Sequence, residues 1–158
     1  SPEIFRVLVE KSAKTKAKIT QKDPDETEFR KVLNYGHTVG HALEVASHHK
    51  LQHGHAVALG MVCEAHIAHM VGWLSEKNLE RQNTLIQKLE ITFADRLDPD
   101  ELITLMRRDK KSVRGQLYFV LPKKIGQVHS KKNKVAFGIK ESVVRQALKQ
   151  LDRFIQQT

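Results

Sequence analysis

Apolar positions in this chain recur mostly at intervals of three and four, so the pattern predicts helices. Ile4, Val7 and Leu8 open the first series. Ser1-Pro2-Glu3 before them is a helix start: a capping hydroxyl, a proline in the first turn and an acid near the positive end. This helix is expected to run to about Gln21, where Asp23-Pro24-Asp25 stops it, because proline disfavours helical backbone in the residue before it. From Phe29 the period resumes through Val32, Leu33, Val39, Leu43 and Val45. Gly36 and Gly40 interrupt it, small residues that suit close backbone approach.

A helix rich in small residues is predicted from about Gly54 to Leu74, with Val57, Met61, Ala65, Ala68 and Gly72 along one side. Ser75-Glu76 caps an amphipathic helix carrying Leu79, Leu85, Ile86 and Leu89. Asp98-Pro99-Asp100-Glu101 starts another, which ends near Arg107-Arg108 with cations at its negative end. The character then changes. Leu117 to Leu121 is short, branched and aromatic, and Pro122 to Gly126 reads as a turn, so a strand is expected, paired with Val128 or with Val135-Ala136-Phe137. Glu141 to Ile155 closes the chain as an amphipathic helix through Val144, Leu148, Leu151 and Ile155. The expected fold class is mainly α: residues 1–158 as one multi-helix domain with a small β-hairpin.

Composition narrows the class. With 158 residues, 40% hydrophobic and 28% charged, the chain can bury a core of its own and reads as soluble and globular. No apolar run approaches a membrane span, and no signal-peptide pattern opens the chain. Ser1, with no methionine before it, reads as a cut within a longer gene or as a mature terminus. The single cysteine, Cys63, lies in an apolar helical stretch with no basic neighbour, which predicts a packed core thiol and a reducing, cytoplasmic setting.

The formal charge of +9, from 27 Lys and Arg against 18 Asp and Glu, favours an anionic partner. Aromatic residues are only 6%, with no stacking platform or zinc-finger spacing, so nucleic acid is not the expected partner. Lys131-Lys132-Asn133-Lys134 reads as a solvated turn.

Chemistry concentrates in one stretch, since eight of the nine histidines fall between His37 and His69. His37 and His41 are four apart, which on a helix puts both on one face at a spacing that can chelate zinc or another borderline metal. His53 or His55 would supply a third ligand from the next helix, and a carboxylate would complete a catalytic type of site. The plainer reading is a chance cluster of packing and surface histidines, and His66 and His69 are assigned to it.

Leu33-Asn34-Tyr35-Gly36-His37-Thr38-Val39-Gly40-His41-Ala42-Leu43-Glu44 closely resembles the signature block of the 3-dehydroquinate synthase family. The resemblance continues through Leu51-Gln52-His53-Gly54 and Ala56 to Met61, then Arg108-Asp109-Lys110-Lys111 and Leu121 to Gly126. It implies the helical C-terminal half of that fold, with zinc, or another divalent metal such as cobalt, held by His37, His53 and a glutamate lying upstream of residue 1. It thereby replaces the His37–His41 pair. His41 becomes a residue that contacts substrate and assists proton transfer. Lys16, Glu26, Arg30, Asn34 and one of Lys110 and Lys111 become residues around a phosphorylated sugar-acid substrate. Read without the resemblance, Lys16, Arg30 and Lys110 are solvated surface charges.

The implied activity is the NAD-dependent cyclisation that makes 3-dehydroquinate and eliminates phosphate, in the shikimate route to aromatic amino acids. Arg would offer paired donors to the anionic substrate and Lys a point charge. NAD would be bound mainly by a strand-rich N-terminal domain for which this sequence has no Gly-x-Gly-x-x-Gly after a strand. The implied partners are therefore that domain and a second copy of the full-length protein. The chain by itself is expected to be inactive and to hold zinc loosely. One departure stands out: His55 occupies a position where the family usually has Glu.

Overall fold

A computed structural model describes residues 1–93, 97–108 and 116–157. The first helix, α1, spans Pro2–Lys22 and ends at the Asp23-Pro24 break, as the sequence predicts. Not one of its residues is buried. The following series is not one helix. Phe29–Asn34 forms a 3₁₀ turn, Tyr35 and Gly36 intervene, and α2 covers His37–Ala46. Gly36 takes the left-handed conformation, φ 83°, which a side chain would resist, and this re-aims the chain into α2.

The helix α3 spans His53–Met70, shorter than the predicted Gly54–Leu74, because Val71 caps it and Gly72 turns left-handed at φ 76°. It is buried on almost every side, with Ala56, Leu59, Gly60, Val62, Cys63 and Ile67 in the core, whereas Val57 and Met61 of the predicted stripe are half-buried. Cys63 is a core thiol, as expected, and burial pushes its pKa well up.

Helices α4 (Glu76–Gln87) and α5 (Pro99–Arg108) begin where their caps predict. On α4, however, Leu79 and Ile86 are buried while Leu85 is 67% exposed, and Leu89, just past the helix end, is 54% exposed. Gln82 takes the inward position, donating to the Met61 carbonyl at 3.1 Å and accepting from the Tyr35 hydroxyl at 2.6 Å. Strand β1 (Leu117–Val120) pairs antiparallel with β4 (Ala136–Ile139), in register Leu117–Ile139. Strand β2 (Pro122–Lys124), expected as turn, pairs antiparallel with β3 (Gln127–Val128). Of the two partners expected for the first strand, only the second segment serves it; Val128 pairs instead with Pro122, so the small β element is two antiparallel pairs. Lys132 and Asn133 form the exposed left-handed turn between Lys131 and Lys134. The closing helix α6 (Glu141–Gln156) buries Val144, Ala147, Leu148 and Leu151 against α3 and α5.

Among the described residues no helix is long and apolar enough to cross a membrane. The core joins α2, α3, α5, α6 and β1, through side chains such as Leu43, Leu59, Met106, Phe119 and Leu148, each under 2% exposed.

Candidate metal and substrate site

The closest approach of α2 to α3 is made by glycines. A Cβ on Gly60 would stand 2.0 Å from the Gly36 carbonyl oxygen, and one on Gly40 3.1 Å from the Ala56 carbonyl oxygen. Beneath this contact the buried Glu64 carboxylate accepts the Gly36 N–H at 2.6 Å, placing negative charge at the positive end of α2. Tyr35 anchors the preceding residue: its hydroxyl donates toward Gln82, and burial raises its pKa, with the Glu64 charge adding to the shift. The start of α2 is therefore fixed by backbone contact and by a charge.

That geometry brings His37 and His41, one turn apart on α2, up against His53, the first residue of α3. Ring centroids lie 5.5 Å apart for His37–His41, 5.5 Å for His37–His53 and 6.2 Å for His41–His53. Two imidazoles binding one tetrahedral zinc through nitrogens about 2 Å from it have centroids about 5 Å apart, so the His37–His53 and His37–His41 pairs are both near that spacing. The His37 Nδ1 lies 3.3 Å from the Tyr35 carbonyl oxygen, and the His53 Nδ1 lies 3.1 Å from Glu44 Oε1.

Glu44 is the residue the sequence reading did not single out. Ligand atoms of His41, Glu44 and His53 all lie within 4.8 Å of one another. A signal was present: Glu44 is seven residues after His37 and three after His41, hence on the same helical face. His55 is half-buried two residues into α3, outside this group.

The second group precedes the histidines. Asp23, mostly buried, gathers the chain from Thr27 to Arg30: its Oδ1 accepts from the Thr27 N–H and hydroxyl, its Oδ2 from the Glu28 and Arg30 N–H, all at 2.9 Å. These bonds, that from Arg30 foremost, hold its carboxyl far below the usual carboxylate range. Inside the loop Glu26 has φ 53° and accepts from Asn34 Nδ2 at 3.3 Å, while Arg30 Nε lies 3.9 Å from Glu26 Oε2. The Arg30 guanidinium also donates to the Pro24 carbonyl at 2.9 Å. The structure thus joins Glu26, Arg30 and Asn34, and only Tyr35 and Gly36 separate them along the chain from the histidines.

Lys16 lies exposed on α1, outside both groups. Lys110 and Lys111 lie outside the described residues. Of the remaining histidines, His66 approaches the Asn83 amide at 3.3 Å, and His69 lies 3.1 Å from the Leu74 carbonyl oxygen, which suits the packing role assigned to them. His129, which carries no sequence pattern, stacks on Trp73 at 3.8 Å between centroids.

Two solved structures share this architecture. One is a 2-deoxy-scyllo-inosose synthase complexed with carbaglucose-6-phosphate, NAD+ and Co2+, with a TM-score of 0.83 and 22% identity, over 95% of this chain and 42% of that one. The other is a 2-epi-5-epi-valiolone synthase from Streptomyces hygroscopicus subsp. jinggangensis 5008 with NAD+ and Zn2+ bound, with a TM-score of 0.76 and 22% identity, over 93% and 40%. The fold is therefore that of the dehydroquinate synthase-like cyclases. Residues 1–112 match the family described as 3-dehydroquinate synthase C-terminal, and the chain belongs to it.

The 3-dehydroquinate synthase of Symbiobacterium thermophilum is 41% identical over 130 residues, which is 80% of this chain and 36% of that protein. That of Nostoc punctiforme is 38% identical over 150 residues, 93% of this chain and 40% of that protein. The chain thus spans well under half the length of the relatives it matches.

Proposed function

We infer that this chain supplies the metal and substrate side of a 3-dehydroquinate synthase, which converts 3-deoxy-D-arabino-heptulosonate 7-phosphate to 3-dehydroquinate and phosphate. The observation that carries the reading is the convergence of His37, His41 and His53, with ring centroids 5.5 to 6.2 Å apart, directly after the Glu26–Arg30–Asn34 group along the chain. His37 and His53 would hold a divalent ion, which when bound supplies Lewis acidity to substrate oxygens. NAD, bound mainly by sequence outside this chain, supplies reversible hydride acceptance.

The chain's own residues bind and orient. Arg30 presents a guanidinium to carboxylate or phosphate oxygens, Asn34 offers amide donors to hydroxyls, and Lys16 with one of Lys110 and Lys111 adds positive charge. His41, on the same face as His37, would pass a proton at the reacting centre, and Glu26 would hold Asn34 and Arg30 in relation to each other. The net charge of +9 suits a substrate carrying both carboxylate and phosphate.

Relatives named 3-dehydroquinate synthase at 38–41% identity favour this substrate over those of the sugar-phosphate cyclases at 22%. The test is phosphate release from the heptulosonate phosphate by the full-length gene product with NAD and zinc, beside His37→Ala and Arg30→Ala. Release by the parent and its loss, by a factor of 100 or more, in both variants is expected. A folded, NAD-binding parent that releases no phosphate would move the function to another substrate.

A further inference from the structure

Both imidazoles assigned to the metal turn the same nitrogen toward the protein. His37 Nδ1 faces the Tyr35 carbonyl oxygen at 3.3 Å, and His53 Nδ1 faces Glu44 Oε1 at 3.1 Å. A carbonyl oxygen and an ionised carboxylate can only accept, so the ring nitrogen opposite each must carry the proton. In a neutral imidazole that leaves Nε2 without a proton and able to give its lone pair to a metal.

The two supports differ in kind. The one for His37 is backbone and comes with the turn at Gly36. The one for His53 is a side chain, and His53 needs it more: its side chain is 59% exposed at the first position of α3, whereas Glu44 is 19% exposed within α2. An exposed imidazole at a helix start has several rotamers and both tautomers open to it, and a partly buried carboxylate selects one of each.

We propose that Glu44 is the positioning carboxylate of the metal site, holding His53 as the Nδ1–H tautomer with Nε2 directed to the ion. The assignment rests on the metal reading of His37 and His53 and adds a residue to it. Glu44 is well placed because α2 presents His37, His41 and Glu44 on one face, and the glycine contact with α3 brings His53 onto that face. It also bears on His55, which stands where the family usually carries Glu. With Glu44 on His53 Nδ1, a carboxylate already orients that ligand, so a glutamate at position 55 is not required for it. Direct ligation by Glu44 is the competing role. Glu44 Oε1 stands 3.1 Å from His53 Nδ1, within a group whose ligand atoms lie within 4.8 Å of one another, and the metal spectrum below separates the two roles.

The first measurement needs no metal. Two-bond nitrogen–proton NMR correlation on the ion-free chain, at a pH where imidazole is neutral, reads the tautomer of each histidine. His53 is expected predominantly as Nδ1–H in the parent and shifted toward Nε2–H in Glu44→Ala, with Glu44→Asp intermediate. A parent His53 that is mostly Nε2–H overturns the proposal. The second is a Co2+ titration against a competing chelator. Glu44→Ala is expected to weaken binding 10- to 100-fold, with the visible band shape and one-to-one stoichiometry kept, as for loss of a support behind a ligand histidine.

A changed band shape would make Glu44 a ligand, and unchanged affinity would give it no part in the site. Either overturns the proposal, and the tautomer decides it even if the ion binds weakly. The functional reading fails separately, through absent phosphate release or through His53→Ala leaving metal affinity intact.

Discussion

Asp23 shows how one side chain can organise a site it does not enter. Four hydrogen bonds to its carboxylate shape the loop that carries Glu26 and Arg30. Its folded pKa lies far below its unfolded value near 4, so the ionised form is the one the fold favours. The stability it contributes is therefore fully present above about pH 4 and is lost as the pH falls toward the folded pKa. Denaturant midpoints followed from pH 6 down to pH 2 are expected to fall less steeply in Asp23→Asn, whose amide cannot accept all four bonds. Equal slopes would show that the loop takes no stability from that carboxylate.

Residue types in this region were legible from the sequence. The histidine cluster stands out in the sequence itself, whereas Glu26, Arg30 and Asn34 stand out only through the family resemblance. Asp23 could be read only as a helix stop, and Glu44 only as the last letter of a motif. An acid on a helix is by default solvated, and nothing in the sequence says that His53 from the next helix will face it.

At the scale of elements, the site depends on how closely α2 lies on α3. Gly60→Ala would put a methyl group 2.0 Å from the Gly36 carbonyl oxygen and 2.8 Å from the Gly40 nitrogen, both backbone atoms that cannot rotate aside. Overpacking of this kind costs about 1–3 kcal/mol or more and would push the start of α2, with His37, away from His53. Gly54→Ala meets nothing within 4 Å and is expected to be neutral or to stabilise by up to about 1 kcal/mol, since alanine favours helix over glycine. Thermal melts and Co2+ affinity of the two variants, taken together, check this. A Gly60→Ala protein as stable as its parent would mean that the two helices can separate without loss.

The same contact explains where element prediction went astray. Phe29, Val32 and Leu33 have the spacing of an α-helix, but a 3₁₀ turn also brings such positions to one side, and the left-handed Gly36 required at the contact ends any continuous helix there. On α4 the apolar pattern pointed Leu85 inward, yet Gln82 found a hydroxyl and a carbonyl partner across the interface. A tertiary hydrogen bond decided the face of that helix, and no period along the chain records it.

For the whole molecule the sequence announced a mainly helical body with a small antiparallel β element, and caps and breakers placed most helix ends within a few residues. Periodicity could not say which apolar faces serve this body. The series opened by Ile4 and Leu8 on α1 looks like a core stripe, yet Ile4, Phe5 and Leu8 are 63%, 71% and 59% exposed, while Leu148 on α6 is 1% exposed. The two helices should respond oppositely to substitution.

Replacing Ile4, Phe5 and Leu8 together by glutamine is expected to change unfolding free energy by no more than about 0.5 kcal/mol per site, the range for exposed positions. Leu148→Ala removes side-chain volume from a closed core and should cost about 2–5 kcal/mol. Chemical denaturation at low protein concentration separates the cases without interference from self-association. A triple variant losing several kcal/mol would mean that α1 folds back and buries this face in solution. A neutral triple variant beside a strongly destabilised Leu148→Ala would leave the stability of the histidine site with the body formed by α2, α3, α5 and α6, and would free the apolar side of α1 from any part in holding it.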